Sequence, residues 1–220
     1  MAGSNSILMD FYHTMLKQYG PQHWWPGESP LEVMIGAVLT QNTNWTNVEK
    51  AIRNLKAANA LDPWKLQRLD PARLAELIRP AGYFNIKAKR LKNLIQWFCQ
   101  EYDGSMAALG KLSVDRLREE LLSLNGIGRE TADSIILYAL EKPTFVIDTY
   151  TCRILVRHGC LDGENDYEEF KDYCQRNLPE DVVLYNEIHA LFVQVGKAHC
   201  KPTPKCSGCP LEIFDHWIQP

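Results

Sequence analysis

The stretch Leu124-Asn125-Gly126-Ile127-Gly128-Arg129-Glu130-Thr131-Ala132 places two glycines around one apolar residue, between two segments of helical periodicity. Glycine allows a tight turn, and it leaves backbone N–H groups uncovered at the start of the next helix. Such amides, with the helix dipole behind them, form an anion site of phosphate size. The same spacing also suits a simple helix C-cap, so other segments must decide between the two interpretations.

Helical periodicity extends over nearly the whole chain on both sides of this stretch. The apolar segment Leu31–Leu39 follows Ser29-Pro30, a cap residue and a first-turn proline, and predicts a buried central helix. A second helix is predicted over Thr131–Leu140, and Pro143–Ile147 is the only candidate strand. The sequence therefore predicts an all-α fold with about ten helices.

Composition narrows the class of protein. The 220 residues are 45% hydrophobic and 23% charged, with a net charge of −3, which is typical of a globular protein and excludes wholesale disorder. The sequence has no apolar run of about 18 residues and no secretory signal, so we expect a cytoplasmic protein without a membrane span. The mild acidity argues against a protein that coats nucleic acid through bulk positive charge.

A single carboxylate, Asp148, ends the apolar stretch that follows the helix after the hairpin. It could be only a helix N-cap. Together with the hairpin, however, the segment resembles the helix-hairpin-helix/Gly-Pro-Asp DNA glycosylase superfamily, which includes endonuclease III. The resemblance covers the chain from about Trp24 to Cys209.

The resemblance implies a two-lobed, endonuclease III-like helical fold with a helix-hairpin-helix motif, and we expect the protein to act as a monomer. Residues 22–140 would form a six-helix barrel-like domain that contains the hairpin. Residues 1–21 and 141–220 would form a second helical domain, which carries the catalytic aspartate and a C-terminal loop with cysteines.

The resemblance also implies roles for individual residues. The hairpin, Gly126, Ile127, Gly128 and Arg129, would grip the phosphate backbone of double-stranded DNA while a damaged nucleotide is flipped out of the stack. Asp148 would then lie at the deoxyribose C1′, stabilise an oxocarbenium-like transition state and activate a water molecule.

One departure from the family concerns the position after the hairpin where endonuclease III has a nucleophilic lysine. The matching residue here is Glu130, and a carboxylate cannot form a Schiff base. Lys142 lies further along without support from a motif. We therefore expect a monofunctional glycosylase of base excision repair, a hydrolase without AP lyase activity.

Tryptophans indicate the class of base. Trp24, Trp25 and Pro26, with Trp45 downstream, resemble the aromatic pocket of the 3-methyladenine DNA glycosylase III branch of the superfamily. Adjacent tryptophans beside a proline are also common in a core corner. An indole stacks well on an alkylated purine, because that ring carries positive charge. We therefore expect removal of alkylated purines such as 3-methyladenine.

Two alternatives to this function remain open at this stage. One is an endonuclease III-like specificity for oxidised pyrimidines or for mismatched uracil or thymine, and the other is a non-catalytic module that binds DNA or abasic sites. Gln41 matches the family's wedge residue, which fills the gap left by the flipped base, although it could equally cap a helix. The basic run formed by Lys87, Lys89, Arg90 and Lys92 is either a solvated helix face or a source of phosphate contacts.

The C-terminal cysteines Cys200, Cys206 and Cys209 resemble the iron–sulfur loop of endonuclease III. The first gap is one residue shorter than in the family, and Asp215 occupies the position of the fourth cysteine. A [4Fe–4S] cluster with Asp215 or His216 as fourth ligand, a mononuclear zinc ion, and a loop without metal all remain open. No cofactor is required for the expected chemistry.

Overall fold

The computed structural model describes residues 6–217, and within them the chain forms twelve α-helices, one 3₁₀ helix and one π-helix, with no strand. Residues 1–5 and 218–220, which belong to the predicted second domain, lie outside the described residues. The prediction of an all-α fold is confirmed. The helices are α1 (Ile7–Tyr19), α2 (Pro30–Leu39), α3 (Trp45–Ala57), α4 (Pro63–Arg68), α5 (Pro71–Leu77), the 3₁₀ helix (Arg79–Ala81), α6 (Phe84–Tyr102), α7 (Met106–Leu109), α8 (Val114–Ser123), α9 (Arg129–Ser134), the π-helix (Ile135–Ala139), α10 (Thr149–Arg157), α11 (Tyr167–Asn177) and α12 (Val182–Ala198).

Two compact units divide the chain. Trp25–Lys142 forms one of them, called the hairpin unit below. Met1–Trp24 together with Pro143–Pro220 forms the other, called the aspartate unit. None of the described helices is long and apolar enough to cross a membrane.

The core of the hairpin unit is built around α2, as its apolar sequence predicts. The Ser29 hydroxyl accepts a hydrogen bond from the Glu32 amide, and Pro30 occupies the first turn, so the helix begins where the cap signals place it. Every residue from Glu32 to Leu39 is buried. The helix packs against the π-helix, α6, α3 and α9.

In the aspartate unit, α12 packs against both α10 and α1. Gly196 of α12 faces the ring of Tyr150 in α10 so closely that a Cβ atom at this position would overlap the ring. The two helices therefore approach each other more closely than a larger residue would allow. Asp148 is the N-cap of α10, so this contact helps to set where its carboxylate lies.

Two local predictions need correction. Pro143–Ile147 is extended but forms no strand in the described chain, because its amides find side chains instead: the Phe145 amide donates to Gln175 Oε1 (3.2 Å). The helix predicted from Thr131 begins earlier, at Arg129, and changes from α to π at Ile135. The π segment keeps Leu140 N–H bonded to the Ile135 carbonyl at 3.2 Å.

Candidate functional site

The carboxylate of Asp148 has a different neighbour at each oxygen. Oδ1 accepts the amide hydrogen bond of Thr151 at 2.7 Å, so the residue is the N-cap of α10 that the sequence allows. Oδ2 lies 3.7 Å from Nε2 of His189, which belongs to α12. The side chain is 13% exposed, which leaves it accessible to a small reactant.

His189 was not found by the sequence reasoning. It is a buried histidine among the mostly apolar buried residues of α12, and a titratable side chain in such a setting is the signal that could have indicated it. Burial lowers the pKa of His189, while the nearby charge of Asp148 raises it and only partly compensates. The imidazole is therefore mainly neutral near pH 7.

The glycine hairpin lies in the hairpin unit, at the start of α9. Gly126 has φ +98°, and a Cβ atom there would overlap the side chain of Arg90, so glycine is required for both conformation and space. Ile127 is buried and anchors the turn. Gly128 is the N-cap of α9 without a side-chain cap, and Arg129 beside it is exposed.

Gln41, the predicted wedge, is hydrogen-bonded to this hairpin. Its Nε2 donates to the Gly126 carbonyl (3.1 Å) and to Thr131 Oγ1 (2.9 Å), while its Oε1 accepts from Arg90 Nη1 at 2.6 Å. From the same helix as Arg90, Asn93 donates to the Asn125 carbonyl at 2.9 Å. The loop after α2, the hairpin and α6 are thus joined by one network, which no local motif predicts.

Two of the predicted pocket tryptophans meet in the hairpin unit. The ring centroids of Trp25 and Trp45 are 5.1 Å apart at an interplanar angle of 86°, and Tyr138 of the π-helix lies 5.2 Å from Trp25. Gly36 of α2 supports both indoles, since a Cβ there would lie 3.3 Å from Trp25 Nε1 and 3.6 Å from Trp45 Cη2. Tyr138 is a member of this aromatic cluster that the sequence reasoning missed.

The remaining pocket residues are placed differently. Trp24 belongs to the aspartate unit, where Lys197 Nζ lies 5.9 Å from its ring centroid, a cation–π contact. Pro26 is exposed in the hairpin unit. The structure therefore brings Trp25 and Trp45 into contact, but it does not describe one cluster of all four residues.

The basic run is mostly not a phosphate-facing surface. Lys87 is buried and donates to the carbonyls of Leu39 (2.7 Å) and Ala81 (2.8 Å) and to Thr43 Oγ1 (2.8 Å). Burial, together with the charge of Arg90, lowers the pKa of Lys87 to about 8.

Lys92 is used in a similar way, because it donates to the carbonyls of Leu66, Gln67 and Leu69 at 2.6–3.0 Å. Burial lowers its pKa as well. Lys89, in contrast, is exposed and stays available for contact with a phosphate. The pattern of charges in the sequence does not distinguish these three lysines.

Glu130, at the position of the family lysine, lies exposed in the first turn of α9. A carboxylate in the first turn suits the positive end of the helix dipole. It supplies no amine for covalent chemistry. Lys142 is the last residue of the hairpin unit.

The C-terminal cysteines line one cavity of about 30 Å³ in the aspartate unit. Cys200, Cys206 and Cys209 share it with His199 and His216, whereas Asp215 is exposed and lies outside the lining. A guanidinium nitrogen of Arg157 lies 3.3 Å from Cys200 Sγ and also donates to the Lys201 carbonyl at 2.7 Å, which ties the loop to α10.

The donor types suit a soft metal ion, but their arrangement does not. Among residues 6–217, no three His, Cys, Asp or Glu side chains are arranged to hold one ion. In this arrangement the cysteines do not fit a cluster or a zinc ion.

Comparison with known proteins decides the family. A model described as "HhH-GPD superfamily base excision DNA repair protein" matches residues 35–180. The chain belongs to the HhH-GPD superfamily of base excision DNA repair proteins. The resemblance drawn from the hairpin and Asp148 is thereby confirmed.

Two HhH-GPD relatives span most of the chain. A protein of Methanocaldococcus jannaschii named "Putative DNA repair glycosylase MJ1434" is 46% identical over 210 residues, which cover 94% of this chain and 95% of that protein. Endonuclease III of Thermotoga maritima is 33% identical over 184 residues, with 83% and 81% covered.

Solved structures show the same HhH-GPD fold. The H. pylori 3-methyladenine DNA glycosylase MagIII bound to 1,N6-ethenoadenine is 30% identical, with a TM-score of 0.74 over 87% of this chain and 95% of that chain. An endonuclease III–DNA complex has a TM-score of 0.80 at 23% identity, over 95% and 94%, and this likeness concerns the fold alone.

Proposed function

We propose that the protein is a monofunctional DNA glycosylase that removes alkylated purines such as 3-methyladenine from double-stranded DNA. The observation that carries the proposal is the aromatic cluster of Trp25, Trp45 and Tyr138 on Gly36. Electron-rich rings attract a cationic purine more strongly than a neutral base. MagIII of H. pylori, which binds 1,N6-ethenoadenine, supports the same class of substrate.

In this proposal the hairpin residues Gly126 to Arg129 bind the phosphate backbone of damaged DNA. The first-turn amides after Gly128 have no side-chain cap, so they can donate to a phosphate oxygen. Lys89 is an exposed cation on the neighbouring helix α6. Gln41 is the proposed wedge, and it must exchange its hydrogen bonds to the hairpin for contacts with DNA when it enters the duplex.

Asp148 is proposed to be the catalytic carboxylate. As the bond between C1′ and the base nitrogen breaks, the electron pair leaves with the base, and the carboxylate stabilises the positive charge that develops on the sugar. Water then bonds to C1′ through its oxygen, and its proton passes to the carboxylate. An alkylated purine is a good leaving group, so this single carboxylate suffices.

The absence of lyase chemistry is proposed from Glu130. Without an amine at this position, C1′ receives water rather than lysine, and the product is an intact strand with an abasic site. A Glu130→Lys variant provides the matched test, because it restores the residue of the lyase members at the same exposed position.

A panel of duplexes tests the substrate. It contains an alkylated purine, an oxidised pyrimidine and a uracil or thymine mismatch, with strand scission scored before and after alkali. We expect base release from the alkylated purine, scission only after alkali, and no release by Asp148→Asn.

Each alternative has its own outcome in this panel. Release of oxidised pyrimidines without alkylated purines would support the endonuclease III-like alternative, which the 33% identity to the Thermotoga maritima enzyme favours. DNA binding without base release from any lesion would support the non-catalytic module. A covalent adduct of the wild type trapped by borohydride would refute monofunctionality, whereas an adduct confined to Glu130→Lys would support it.

The alternatives that the sequence leaves open at Cys200, Cys206 and Cys209, which are a cluster, another metal or no metal, have a separate test. An iron–sulfur cluster held by thiolates would give a brown preparation with an absorption band at about 400 nm. If the preparation is colourless, metal analysis distinguishes bound zinc from a loop without metal.

A further inference from the structure

We propose that His189 is a positioning residue for Asp148: it holds one carboxylate oxygen while the helix α10 amide holds the other. The proposal rests on the catalytic role proposed for Asp148, and it adds a residue that no motif indicates.

The first support is the geometry of the carboxylate. Oδ1 is occupied by the Thr151 amide at 2.7 Å, and Oδ2 faces His189 Nε2 at 3.7 Å. A carboxylate with one neighbour can rotate about its last bond, but one with different neighbours at the two oxygens keeps its plane. A separation of 3.7 Å is longer than a hydrogen bond, and catalytic contacts of this kind often tighten when substrate binds.

The second support is the fixed position of the imidazole. His189 is only 5% exposed, so it has little freedom to choose another rotamer. Gly196 lies seven residues after His189 on the same helix, hence two turns along the same face. Because Gly196 meets Tyr150 of α10, this face of α12 is held against the helix that Asp148 caps.

The third support is charge. Asp148 is the charged group that acts on His189, and burial opposes protonation of the ring. A mainly neutral imidazole can donate one N–H to Oδ2 without neutralising the carboxylate. The carboxylate therefore keeps the negative charge that the developing sugar cation requires.

Two substitutions at position 189 separate donation from packing. His189→Leu removes the donor, and His189→Gln restores an N–H near the position of Nε2. We expect the single-turnover rate of base release to fall at least about tenfold in His189→Leu, as for other misplaced catalytic groups, and to recover in part in His189→Gln. Affinity for DNA that carries an uncleavable abasic analogue should stay within about twofold, because the contact does not involve the backbone of DNA.

His158→Leu is the matched control. His158 is another partly buried histidine of the aspartate unit, and its Nδ1 lies 3.0 Å from the Asp215 carbonyl, so the same truncation is made away from Asp148. Its rate should stay near that of the wild type. An unchanged rate in His189→Leu, or an equal loss in His189→Gln and His189→Leu, would overturn the positioning role.

A second measurement needs no enzymatic activity and is therefore independent of the proposed function. The ring signals of His189 are titrated by NMR in the wild type and in Asp148→Asn. Because the Asp148 charge raises the pKa of His189, its removal should lower that pKa further. An identical pKa in the two proteins would refute the contact, even if no lesion proves to be a substrate.

Discussion

Replacing Lys87 with methionine removes a buried ammonium that joins three parts of the hairpin unit. Its Nζ donates to the carbonyls of Leu39 and Ala81 and to Thr43 Oγ1, all at 2.7–2.8 Å. Methionine has similar length and no donor. The variant therefore leaves two carbonyls and a hydroxyl without this donor, next to the loop that carries Gln41.

The cost at pH 7 combines two opposing effects. Each buried acceptor that loses its donor costs about 1–3 kcal/mol, while loss of the buried charge relieves a desolvation penalty of several kcal/mol. We expect a net loss of roughly 2 kcal/mol in the free energy of unfolding.

The pH dependence has a definite sign. The pKa of Lys87 is about 8 in the folded protein, below its ordinary value of 10.5, so the unfolded chain binds the proton more tightly. Between these two values the stability of the wild type rises with pH, by about 1.4 kcal/mol per unit and roughly 2 kcal/mol by pH 9.5. The variant lacks this gain, so its deficit against the wild type grows with pH.

Denaturant unfolding of both proteins at pH 7 and pH 9.5 measures this difference, and titration of other groups cancels between them. Lys89→Met is the matched control, since it removes an exposed lysine from the same helix. A deficit that stays constant or shrinks as pH rises would refute the assignment of a lowered pKa to Lys87.

Two further predictions concern the hairpin and its helix. Gly126→Ala should cost about 1–3 kcal/mol and weaken DNA binding, because alanine strains a φ of +98° and collides with Arg90. Gly128→Ala should melt close to the wild type, as no atom lies within 4 Å of its Cβ position; equal losses in thermal melting would contradict this reasoning. Arg118→Met should lower the unfolding free energy by roughly 3 kcal/mol, because the fully buried Asp133 then loses the guanidinium at 3.0 Å. A loss below about 1 kcal/mol in denaturant titrations, as for a surface pair, would show that this ion pair is not structural.

The sequence by itself determined the helical class, the hairpin and the position of Asp148. Each depends on a local requirement that a few neighbouring residues express. Two glycines meet the demands of a tight turn, and Asp148 caps the helix that follows it, which its position before a helical segment predicts. The same locality explains the error at Pro143–Ile147, where an apolar run looks like a strand until its amides are seen to bind side chains.

Only the tertiary structure decided which polar groups work together. Lys87, Lys89 and Lys92 look alike in sequence. However, Lys87 and Lys92 donate hydrogen bonds to backbone carbonyls of turns that are distant in the chain. His189 meets Asp148 from α12, a separate helix further along the chain, and Gln41 meets Gly126 across a separation of 85 residues. Burial and close packing determine these partners. A polar group that is removed from water must form hydrogen bonds with the polar groups that the fold places next to it.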